Sequence, residues 1–191
     1  MLRYALALLA LIFSSHLVAA QTPKLLTENT LYIDLKEGRV VIQLRPDLAP
    51  KHVAQIKALT KDGFYNGIVF HRVISGFMAQ TGDPTGTGMG GSTMANIPAE
   101  FSDTPFVRGV LGMARSQSPN SANSQFFICF TDDGCSFLKG QYTVFGQVTS
   151  GMEFVDKVAR GEPPATPDTI VKAEIEAAAA PAVTPAAPPA K

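Results

Sequence analysis

Phe70-His71-Arg72-Val73-Ile74-Ser75-Gly76-Phe77-Met78-Ala79-Gln80 is mostly apolar, yet it holds an arginine near its start and ends on a glutamine. With Ser75-Gly76 as a turn, its length and composition predict strand, turn, strand. Side chains alternate along a strand, so Arg72 and Ile74 take one face and His71 and Val73 the other. A fixed cation among Phe and Met is costly to bury unless something pairs with it. Arg72 therefore lies at the rim of an apolar surface or faces a ligand that accepts hydrogen bonds. On this stretch alone, a solvated face of an amphipathic strand is an equally good reading.

Upstream, Leu31 to Leu35 and Arg39 to Leu44 read as a hairpin turning at Lys36-Glu37-Gly38. Pro46 to Pro50 opens a helix, where proline is tolerated in the first turn. Ala49, Val53, Ile56, Leu59 and Thr60 give it one buried face, and Gly63 stops it. Downstream, short strands recur over 107–114, 124–130, 143–148 and 169–175. A second helix is expected over 151–159, with Met152, Val155 and Val158 on one side. Many short strands, two helices and Gly-rich turns predict a mainly β, barrel-like domain rather than βαβ units.

The glycine-rich run Gly82 to Ser92 raises the question of a phosphate cradle. A phosphate-binding loop needs a lysine after its last glycine and a helix behind it, and Ser92-Thr93-Met94 supplies neither. The run instead suits a surface loop that turns sharply and lies close to a bound peptide. Lys+Arg and Asp+Glu number 16 each in 191 residues, so no charge excess points to nucleic acid or an acidic membrane.

Four regions are expected. Residues 1–20 read as a secretory signal: Arg3, an apolar run from Tyr4 to Phe13, and a Val18-Ala19-Ala20 cleavage site. Residues 21–29 are a polar leader, 30–175 one domain, and 176–191 a disordered Ala/Pro tail. After cleavage no membrane attachment is expected. The short signal, and the lack of an ER-retention tail or an N-x-[ST] acceptor, lean towards a bacterial periplasm. Cys129 and Cys135 are either a buried inert thiol and its neighbour or, in an oxidising compartment, a disulfide closing a short loop. Nothing nearby has zinc-like spacing, and no cofactor or metal is implied.

The segments Gly109 to Arg115, Ser124 to Cys129 and Phe137 to Gly146, in that order after Phe70–Gln80, resemble the cyclophilin family of peptidyl-prolyl isomerases. The resemblance runs from about Leu31 to about Ile175. It implies a closed eight-stranded antiparallel β-barrel capped by two α-helices, acting as a monomer on proline-containing polypeptides. It also implies Arg72 as the catalytic residue and Phe77, Met78, Phe127 and Leu138 as a proline pocket. Gln80 would hold Arg72 and the substrate backbone. Ala114, Arg115 and Gln125 would line the neighbouring groove, where Arg115 and the backbone beside it pair with an extended peptide. Phe137 and Tyr142 stand where many members carry Trp and His; both keep an aromatic wall, but the lost indole N–H implies weak cyclosporin inhibition.

The chemistry suits these residue types. Peptide-bond rotation faces a resonance barrier of roughly 18–20 kcal/mol, and uncatalysed X–Pro exchange takes tens of seconds or longer. The twisted transition state localises electron density without breaking a bond. A dry pocket for the ring and an aimed donor are what help. A guanidinium has five donors in a fixed fork and does not act as a base. Two rivals stand beside this reading. A barrel that binds proline segments without turning them over is opposed by the intact Arg72. A hydrolase is opposed by the lack of a nucleophile motif near His52 or His71, the latter read as structural.

Overall fold

The computed structural model describes residues 27–177. The expected secretory signal, the expected leader as far as residue 26 and the expected tail from residue 178 lie outside the described residues. The elements run β1 (Thr30–Leu35), β2 (Gly38–Leu44), α1 (Pro50–Lys61), β3 (Arg72–Ile74) and β4 (Met78–Thr81). Then come β5 (Val110–Met113), β6 (Phe126–Cys129), β7 (Val144–Ser150), α2 (Met152–Val155) and β8 (Lys172–Ile175). Among the described residues no helix is long and apolar enough to cross a membrane.

All eight strands join one antiparallel sheet in the order β3-β4-β6-β5-β7-β2-β1-β8, curled into a half-barrel. The expected closure is not a strand ladder. Strands β3 and β8 do not pair; the segments leading into them do, through a single bridge of Val69 with Thr169. Phe70 N–H donates to Asp168 at 2.9 Å, and Ile170 N–H to Ile68 at 2.9 Å. The edges are too short to reach one another, so irregular chain covers them instead.

Both faces of the central strands are buried, and period-two alternation sorts them. In β6, Phe126 and Ile128 enter the main core while Phe127 and Cys129 enter a second cluster on the other face. Likewise Ala79 and Leu111 face the core, and Met78 and Val110 the second cluster. That second cluster is where the sheet meets the site.

Helix α1 begins at Pro50 rather than at Pro46, because Arg45 to Ala49 is spent on a turn, with Leu48 and Ala49 N–H both donating to Arg45. Ala49 caps with no side chain. The carboxylate of Glu100 takes over, accepting the N–H groups of Lys51 and His52, each at 3.1 Å, and meeting His52 Nδ1 at 2.7 Å. An anion there complements the helix dipole. Burial pushes the His52 pKa down, against the opposing pull of Glu100. Helix α2 is one turn, not the nine residues expected, since Lys157 and Val158 N–H reach back only three residues. Val155 and Val158 are nonetheless buried, as that face predicts.

Candidate active site

Arg72 and Gln80 are cross-strand partners, as are Ile74 and Met78, so the turn at residues 75–77 sets the site's register. Strand β6 then places Phe127 opposite Gln80 and Cys129 opposite Met78. A cavity of about 130 Å³ opens there. Met78, Phe127 and Leu138 are its buried apolar lining, with Phe77, Ala114 and Tyr142 around them. Arg72, Gln80 and Arg115 bring polar groups to its edge. Nine of the eleven residues named from sequence thus converge on one cavity.

The other two lie beside it. Gln125 lines an adjoining cavity of about 270 Å³ with Gly88, Met89 and Gly90. Phe137 stays 61% exposed at the rim, its ring 5.5 Å from that of Phe77.

Polar contacts differ from expectation at two residues. Gln80 does not hold Arg72: its amide donates to Gln125 Oε1 at 2.9 Å, and Gln125 donates to the carbonyls of Gly88 (3.0 Å) and Gly90 (2.8 Å). Arg72 Nε instead donates to Glu162 Oε2 at 2.9 Å, and its guanidinium lies 5.9 Å from the Phe77 ring centroid. Arg115 was expected to pair with a peptide, but it turns back on its own chain. It donates to the carbonyls of Ser116 (2.9 Å) and Gln141 (3.1 Å) and stacks 4.4 Å over Tyr142. It fixes the Tyr142 wall rather than offering free donors.

The glycine-rich loop is built around Asp83, which the sequence reading passed over. Its carboxylate accepts from Thr85 N and Oγ1 (both 2.8 Å), Thr87 N (3.0 Å), Gly88 N (2.6 Å) and Gly90 N (3.1 Å). Burial alone would raise its pKa; the donors from Thr85, Gly90 and Gly88 outweigh burial and hold it at about 2. A Cβ on Gly90 would meet Asp83 at 2.2 Å, so only glycine allows this approach. Phe106, which stacks under Phe127 at 5.8 Å, was also missed. Gly112 makes room for both rings, since a Cβ there would lie 2.3 Å from Phe127 and 2.6 Å from Phe106.

Cys129 and Cys135 form a disulfide, settling the alternative left open by the sequence. Cys135 directly precedes the 3₁₀ turn Ser136–Leu138, so the bridge ties Phe137 and Leu138 to the strand that carries Phe127. For so short a loop, reduction is expected to lower unfolding free energy by roughly 2 kcal/mol. Urea unfolding of oxidised and reduced protein checks this; coincident midpoints would mean that the bridge adds no stability.

His71 is buried, and burial pushes its pKa down, so it remains neutral near pH 7. Among the described residues no group of three His, Cys, Asp or Glu side chains is placed to hold a metal.

An apolar lining of Met78, Phe127 and Leu138 with a guanidinium at its edge, carried on a half-barrel, fits the proline pocket that the family resemblance implies. Comparison with known proteins agrees. A family model described as cyclophilin-type peptidyl-prolyl cis-trans isomerase/CLD matches residues 30–175. A Brucella suis protein described as a probable peptidyl-prolyl cis-trans isomerase is 58% identical, over 78% of this chain and 84% of that one. A Helicobacter pylori peptidyl-prolyl cis-trans isomerase is 41% identical, over 70% and 83%. Among solved structures, a cyclophilin from Hirschia baltica superposes with a TM-score of 0.73 at 29% identity, covering 81% of this chain and 76% of that one. A Cryptosporidium parvum cyclophilin-type isomerase, crystallised in the presence of the dipeptide Ala-Pro, gives 0.70 at 30% identity, covering 78% and 99%. The chain belongs to the cyclophilin-type peptidyl-prolyl cis-trans isomerase family and is an enzyme of that class.

Proposed function

We propose that this isomerase is exported and accelerates X–Pro rotation in polypeptides folding outside the cytoplasm, as a monomer. Arg72 is the donor and the Met78–Phe127–Leu138 seat holds the proline ring. The observation that carries this reading is Arg72 at the edge of a cavity of about 130 Å³ with an apolar lining of Met78, Phe127 and Leu138, only its Nε being committed to an acceptor among the described residues. In the ground state an Nη group bonds the prolyl carbonyl. As the amide twists, the nitrogen pyramidalises and gains a lone pair, and the cation favours that state more than the planar one. Gln80, held by Gln125, supplies a second polar contact to the substrate backbone. The Ala-Pro dipeptide used with the Cryptosporidium parvum relative supports a proline-containing substrate.

Export is supported by the signal-like segment 1–20, with its apolar run from Tyr4 to Phe13, and by a disulfide, which persists in oxidising compartments. Fractionation of a bacterial host, with N-terminal sequencing of the product, tests it. A periplasmic chain beginning at Gln21 is the expected result; an uncleaved cytoplasmic chain would overturn the export reading.

The exposed rim position of Phe137 supports a further expectation. Phe137→Trp adds an N–H donor where there is room for a larger ring. By the family resemblance, cyclosporin accepts such a donor, so inhibition should strengthen by up to about tenfold. Turnover of a short X–Pro peptide should stay within a few-fold. Equal inhibition constants for the two forms would mean that residue 137 does not face the inhibitor.

A further inference from the structure

We infer that Glu162 is a positioning residue for Arg72, an inference that rests on Arg72 being the donor. Arg72 stands between two cavities. One is the 130 Å³ proline seat; the other, about 280 Å³, lies across the guanidinium, lined by His71, Thr87, Gly88 and Pro163 among others. A long side chain there has somewhere else to go, and ordering it costs rotamer entropy.

Glu162 closes off that freedom. The loop carrying it is stapled to the strand carrying Arg72: Val73 N–H donates to Gly161 at 2.8 Å and Gly161 N–H to Val73 at 2.9 Å. The next residue therefore arrives beside the Arg72 side chain with its backbone already fixed. Its carboxylate takes Nε, the one donor that lies on the stem side of the fork. No other hydrogen bond ties the Arg72 side chain among the described residues, so both Nη groups remain for the substrate. The Phe77 ring, 5.9 Å from the guanidinium carbon, contacts it from another side.

A carboxylate next to a catalytic cation also has an opposing effect, since it offsets part of the charge. The two side chains are 41% and 51% exposed, so water and salt screen that interaction strongly. A hydrogen bond's directionality is not screened in the same way. Orientation therefore outweighs neutralisation, and Glu162 raises the rate rather than restraining it.

The test uses the full chain with Glu162→Ala and Glu162→Gln, an acetylated and amidated X–Pro peptide, and the ¹H–¹⁵N signal of the Arg72 Nε–H. That signal is assigned by its loss in Arg72→Lys, which has no Nε. Glu162→Ala should lower kcat by about two- to fivefold with KM little changed, and the Nε–H signal should broaden or vanish. Glu162→Gln keeps an acceptor oxygen and should restore the signal and a rate within about 1.5-fold of wild type. A rate within about 1.5-fold of wild type for Glu162→Ala overturns the inference, as does an equal loss in the Ala and Gln variants. These results are separable from a failure of the Arg72 reading, which would appear as full activity in Arg72→Ala whatever Glu162 does.

Discussion

Replacing Arg72 with alanine is expected to lower catalysed X–Pro rotation by about 100-fold or more, while peptide affinity changes far less. The asymmetry follows from where each interaction acts. In the proposed mechanism Met78, Phe127 and Leu138, which line the cavity, bury the proline ring equally before and after the amide twists, so they hold substrate and transition state alike. Only a donor aimed at the density released by the twist distinguishes the two. Among the described residues, the other polar side chains at the cavity edge are already engaged: Gln80 donates to Gln125, and Arg115 to Ser116 and Gln141. A protease-coupled assay with separate kcat and KM reads the outcome. Wild-type kcat in the variant would remove Arg72 from the mechanism, leaving an apolar seat that acts by desolvation alone.

Asp83→Asn should cost about 2–3 kcal/mol of stability at pH 7 and loosen the groove beside the proline seat. One carboxylate satisfies donors from Thr85, Thr87, Gly88 and Gly90, and an amide offers a single acceptor oxygen in its place. The carbonyls of Gly88 and Gly90 in turn hold Gln125, which holds Gln80, so the loss propagates to the site. The pH dependence has a definite sign. The folded pKa of about 2 lies below the unfolded value near 3.9, so the stabilisation is complete above about pH 4. It fades as the pH falls through about 2. Urea unfolding of both forms from pH 7 downward should show the gap shrinking below pH 4. A gap that stays constant to pH 2 would mean that the carboxylate charge is not what holds the loop.

Local pattern was enough to read the hairpin around Ser75-Gly76, the alternation that separates Arg72 from Val73, and the buried face of α1. Each is set by neighbours within a few residues. The convergence of nine named residues on one cavity was legible for a different reason: they fall in four short segments whose order matches a family. What escaped depends on contacts across long stretches of chain. Glu162 reaches Arg72 from 90 residues away, and Glu100 caps a helix 49 residues upstream. No local spacing encodes either. Asp83 left a local trace, an Asp-Pro-Thr step opening a glycine run, but a carboxylate in such a run reads as solvated until its donors are seen. Strand closure failed as an expectation because β3 and β8 are three and four residues long, and the chain around them bridges the gap with single hydrogen bonds. The shortness of α2 has a similar origin, since burial of Val155 and Val158 fits a turn as well as a helix.

The most direct test of Arg72 as the donor to the substrate carbonyl deletes both partners of that bond in turn. An X–Pro peptide and its X–pyrrolidide counterpart, which lacks the prolyl carbonyl, are followed by exchange NMR with wild type and with Arg72→Ala. Removing the carbonyl should cost wild type most of its rate advantage yet cost Arg72→Ala almost nothing further, giving a strongly non-additive cycle. Equal fractional losses with both enzymes would contradict a bond between Arg72 and the prolyl carbonyl.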